Sequence, residues 1–215
     1  MITISPTVIP KTIGARTRKA CSELADASAL VFVDVKPAPD ALPNKCTFNV
    51  REAVAREGGE IVLGWMVALW SEVMVECIGH AVHRSENGLT CVTPQQDGSA
   101  RILFLPDPSL SFDFDDRDAR MPTKMIPLSK DPFVARLIEN EEREYQIRCN
   151  YPRGSHALEV RGSDAIELQR LYAEKPELIR RVSLRTKHHN DSCICGSGRK
   201  FRKCCRPQMM AAGPV

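Results

Sequence analysis

The 215-residue sequence has no long hydrophobic run. The longest spans Ile61 to Trp70 and is broken only by Gly64, too short to cross a bilayer as a helix. The opening MITISPTVIPK has no continuous apolar stretch and meets Pro6 and Pro10 early, so no secretion signal is read there. There is no internal repeat. Aromatic residues make up only 6% and are scarcely interleaved with the basic ones, which argues against nucleic-acid binding as the main role. Acid is nearly missing from one end. Between Arg180 and Val215 there are nine basic residues and a single acid, Asp191. That segment is therefore +8, and the rest is −5 out of a formal net charge of +3.

What is present is globular in character: 43% hydrophobic and 27% charged residues. This length suits one ordinary domain with a small appendage. A mildly acidic body with a basic tail predicts that the tail meets something anionic. The nine cysteines, without a secretion signal, point to a reducing, cytoplasmic setting. There, clustered thiols bind metal or do chemistry more often than they form staples.

The apolar periodicity predicts an α+β fold, a small antiparallel sheet with packing helices. A helix is expected over Ala15–Ala27 and a strand over Ala29–Val35. CTFNVREAVAREGG reads as a helix stopped by Gly58-Gly59, with Cys46 at or just before its first turn. Strands are expected over Glu60–Trp70, Val73–Arg84, Leu89–Thr93 and Arg101–Leu105, with SENG as a hairpin turn. Helices follow over Asp131–Arg148, capped by Asp131 or Ser129, over Ser163–Ala173, and from Pro176 to about Leu184. The expected organisation is an α+β body over 1–128, a helical segment packed on it over 129–186, and a linker with a cysteine module over 187–215.

That module places Cys193 and Cys195, then Cys204 and Cys205, around a Gly-Ser-Gly turn and a basic stretch. Two close pairs of thiolates can supply the four tetrahedral ligands of Zn²⁺. Gly196 and Gly198 permit the sharp return. The cations Arg199, Lys200, Arg202, Lys203 and Arg206 offset the roughly −2 charge of zinc with four thiolates. His188 and His189 are spare beside four sulfurs. With no open position, the metal is structural.

The string C-x-C-G-S-G, then Lys200-Phe201, then Cys204-Cys205 resembles the SEC-C motif. This is the short metal-binding module at the C-terminus of the bacterial preprotein-translocase ATPase SecA and of many otherwise unrelated bacterial proteins. The resemblance implies a bacterial zinc protein that docks through its tail on a protein such as the chaperone SecB, or on the ribosome, with basic residues on rRNA. Arg199, Lys200, Arg202 and Lys203 are the candidate contacts.

A second constellation lies in the body. The order of a helix-start cysteine, a strand histidine and a residue on the next strand is similar to papain-like and transglutaminase-like enzymes. That resemblance implies a cysteine-dependent hydrolase or transferase, intact or degenerate, with Cys46 as nucleophile and His80 as base. Cys91 stands where an orienting Asp would be expected, and a thiol cannot orient imidazole as a carboxylate does. Glu76, four residues before His80, is a candidate substitute. The middle region, from Cys46-x-x-Asn49-Val50 through His80-Ala81-Val82 to Ile102–Asp107, also resembles a bacterial module found in some SEC-C-bearing proteins. Read simply as packing residues, Cys46 is a small side chain near a helix start, His80 is a core histidine, and His83 faces the opposite side, exposed.

Overall fold

The computed structural model describes residues 6–116, 118–153 and 159–213. Their elements are α1 (Ala15–Cys21), β1 (Val31–Val35), α2 (Cys46–Glu57), β2 (Glu60–Trp70), β3 (Met74–Ser85), β4 (Gly88–Cys91), β5 (Arg101–Pro106), β6 (Thr123–Pro127), α3 (Pro132–Cys149), α4 (Gly162–Thr186) and α5 (Cys205–Ala211). The fold is α+β: a sheet followed by helices and a cysteine cluster. Among the described residues no helix is long and apolar enough to cross a membrane. The chain groups into two compact units. One is Ile9–Leu69 with Glu76–Lys124, and the other is built mainly on Trp70–Val75 and Met125–Val215.

The first unit holds most of the sheet, in the order β2-β5-β1-β4-β3-β6. β2 also pairs with β3, so five strands close into a ring. β5 runs antiparallel to β1 and β2, and β3 antiparallel to β4, whereas β1 and β4 are parallel, with Asp34 opposite Thr90. The SENG turn forms as expected, with Ser85 opposite Gly88.

Period-two alternation sorts the strand side chains onto two faces. On one, Ala81 and Val92 with half-buried Ile61 and Leu63 pack against Val50 and Ala53 of α2. On the other, Val33, Val82, Cys91, Ile102 and Phe104 form a separate cluster. With both faces covered, β3 is buried or half-buried along nearly its whole length, its two histidines included. Burying a side chain the size of Val50 or Ile102 contributes about 1.5–3 kcal/mol.

The turn from α2 into β2 depends on Gly59, which has φ +91°. A Cβ there would strike the Arg84 carbonyl and approach His83 Nε2 to 2.8 Å. His83 is buried, with Nε2 2.7 Å from the Gly58 carbonyl oxygen. The expectation of an exposed His83 is thereby corrected, because β3 has no free face at that point. Gly64 is equally constrained: a Cβ would meet the Leu105 carbonyl and the Phe104 ring.

The second unit is built on the α3–α4 hairpin. Asp131 caps α3 by accepting the Phe133 N–H (2.9 Å), and Pro132 occupies the first helical position. Val134, Leu137 and Ile138 of α3 pack on Leu178, Ile179 and Val182 of α4, with Trp70, Val73 and Met74 in the same cluster. Ile147, Val160, Leu168 and Leu171 form a second cluster. Ion pairs lace the rim: Arg136 binds Glu174 bidentately (2.7 and 2.6 Å), and Arg143 binds Glu167 (2.9 and 2.7 Å). Two helices were expected where one 25-residue α4 runs through Pro176. Proline removes one helix hydrogen bond, but the buried stripe Leu168, Leu171, Leu178, Ile179 and Val182 continues across it and outweighs that loss.

Candidate metal centre

After Lys187 caps α4, a short antiparallel ladder shapes the C-terminal module. Ser192 bridges to Lys200, the Cys193 N–H donates to the Arg199 carbonyl (2.8 Å), and the Phe201 N–H to the Asp191 carbonyl (2.8 Å). Between the two limbs, Gly196 (φ +73°) and Gly198 (φ +70°) adopt the left-handed conformation that reverses the chain. Phe201, fully buried, plugs the module from within. A single turn at Phe201–Lys203 then delivers Cys204, and Cys205 opens α5.

The ladder and the turn bring four sulfurs together. Those of Cys193, Cys195, Cys204 and Cys205 all lie within 4.8 Å of one another, and Cys195 and Cys204 are 3.5 Å apart. A tetrahedron with Zn–S of ~2.3 Å has edges of about 3.8 Å, so the four thiols fit a metal site. No other residue among those described joins the group; His188 and His189 are exposed.

The electrostatics agree. The hydroxyl and N–H of Ser197 lower the Cys195 thiol to about 6. Ser197 Oγ lies 3.2 Å from Cys195 Sγ and 3.3 Å from Cys204 Sγ. Burial, and then the neighbouring Cys193 and Cys195, push Cys205 strongly upward. Four thiolates cannot share this space without a cation, and a divalent metal reverses the repulsion. Arg199, Lys200, Arg202 and Lys203 are exposed around the loop.

Two features of the module had no signal in its motif. Ile194, between two ligands, is 7% exposed and lies in the α3–α4 cluster with Leu137 and Val182. Arg180 of α4 donates from Nη1 to the carbonyls of Met209 (2.8 Å) and Gly213 (3.1 Å) at the far end of α5.

The body holds the candidate cysteine and histidine on α2 and β3. Cys46 is the first residue of α2 and packs with the α2-facing cluster of Val50, Ala53, Ala81 and Val92. His80 is 5% exposed, with Nε2 3.3 Å from Cys91 Sγ. Cys91 belongs to the cluster on the other face of the sheet. Burial lowers His80 to about 4 and raises Cys91 to about 11, the latter with a smaller contribution from Cys46. Cys91 thus stands against one ring nitrogen, the place an orienting carboxylate would take. Asn49 is tied to Leu42 and Thr93 by its side chain (2.8 and 3.0 Å) and clamps the loop before α2.

Residues 190–207 match the family model of the SEC-C motif. No curated protein and no solved structure matches the chain.

Proposed function

We propose that this is a zinc-binding bacterial protein of the cytoplasm whose basic module docks it on an anionic partner: a protein, a ribosome or a nucleic acid. The observation that carries the reading is the juxtaposition within the SEC-C motif. Four sulfurs lie together around a loop whose cations Arg199, Lys200, Arg202 and Lys203 are exposed. An all-sulfur donor set favours zinc among abundant divalent ions and leaves no open coordination position for catalysis. The metal therefore serves to hold the basic loop in one shape. A loop ordered in advance spends less entropy on association.

The test has two parts. Purified chain should carry one zinc per molecule by atomic absorption; a chain that takes up none overturns the zinc reading. The zinc-loaded chain should sediment with ribosomes or retain RNA or an acidic protein. Replacing the four cations by alanine should weaken that binding at least about tenfold and flatten its salt dependence. Binding unchanged by the replacement removes the docking role.

A further inference from the structure

We infer that the four-cysteine centre also staples the α3–α4 hairpin, so that loading the metal locks these helices and removing it loosens them. This rests on the metal reading above and goes beyond it, because the consequence falls outside the module itself.

Ligand and anchor alternate along the chain. In the extended segment paired with Arg199 and Lys200, the Cys193 and Cys195 sulfurs converge on the centre, while Ile194 between them is buried among Leu137, Leu178 and Val182. The second ligand pair has its own anchor. Cys205 begins α5, Met209 of α5 packs against the same cluster, and Arg180 holds the Met209 and Gly213 carbonyls. The Arg180 side chain is 9% exposed and is itself fixed by Glu177 at 2.6 and 2.8 Å.

A metal that joins the two ligand pairs therefore fixes both anchors relative to each other. Without it, a module of this size has too little core to hold its shape. Ile194 and Met209 would then lose their seats. The part of α4 they cover is the part most dependent on packing. Beyond Pro176, which supplies no N–H to the preceding turn, lie Leu178, Ile179, Arg180 and Val182, the residues that meet the module.

Hydrogen exchange on the full chain tests this. Reduced, zinc-loaded protein is compared with the same protein after chelation. Amides of 177–186 and 134–140 should exchange about tenfold faster or more once the metal is gone, while those of 31–35 and 101–106 stay within about twofold. Ile194→Ser keeps all four thiols. It should still bind one zinc, yet show the fast exchange of the chelated wild type. The staple is overturned if chelation leaves 177–186 unchanged, or if loaded Ile194→Ser is as protected as loaded wild type. A chain that holds zinc but shows neither effect refutes the staple alone. One that takes up no zinc refutes the staple and the zinc reading together.

Discussion

His80 Nε2 lies 3.3 Å from Cys91 Sγ, on the sheet face that packs around Phe104 and Ile102 and away from α2. The pair makes a pH prediction. Burial depresses His80 to about 4 from its ordinary 6.5. The unfolded state therefore binds a proton that the folded state refuses. Stability contributed by keeping the ring neutral is complete above about 6.5 and is lost as the pH falls towards 4, by roughly 3 kcal/mol in all. Urea midpoints should drop between pH 7 and pH 5, a window above the titration of ordinary carboxylates. His80→Gln should show a smaller drop, and equal drops would contradict the account.

Asp131 has two tasks. It caps α3 and accepts Arg185 Nε at 2.6 Å. Asp131→Ala should destabilise the protein by about 1–2 kcal/mol, and Asp131→Asn by about half that, because asparagine keeps the cap and loses only an exposed ion pair. Thermal melts of the two variants would rank them, and equal losses would refute the cap.

Gly59→Ala should be among the costliest single-methyl additions in the sheet. It combines φ +91° with a collision against the Arg84 carbonyl. A loss of about 2 kcal/mol or more is expected, seen as a lowered denaturation midpoint. Gly88→Ala shares a positive φ, +101°, but meets nothing within 4 Å and should cost less.

Cys46 tests the nucleophile reading directly. Burial holds His80 near 4, so the imidazolium that would stabilise a Cys46 thiolate is disfavoured at neutral pH. Iodoacetamide at neutral pH should therefore label Cys46 no faster than Cys149, which is exposed and serves as an internal reference. Labelling of Cys46 about tenfold faster than Cys149 would instead establish an activated thiol.

Much of this was legible from short strings. The four sulfurs, the reversing glycines, the SENG hairpin and the Asp131 cap depend on residues near each other in sequence, and all appear where the motifs put them. What escaped depends on distant packing. Pro176 reads as a helix start, and only the stripe buried against α3 carries α4 through it. His83 reads as exposed because alternation assumes one solvated face, which a strand paired on both sides and covered by α2 lacks. Ile194 is invisible in a ligand pattern, where the residue between two cysteines is free; its burial is set by helices more than fifty residues earlier and just before it.

The closed ring of strands has a consequence for handling the protein. A sheet that returns to its own first strand offers few open N–H and C=O groups to a foreign chain. Among the described strands, β6 ends the sheet, and it is only five residues long, bears exposed Lys124 and stops at Pro127. Short, charged, proline-ended borders discourage strand-by-strand aggregation. Strand-by-strand growth from this sheet should therefore be slow, with or without the metal.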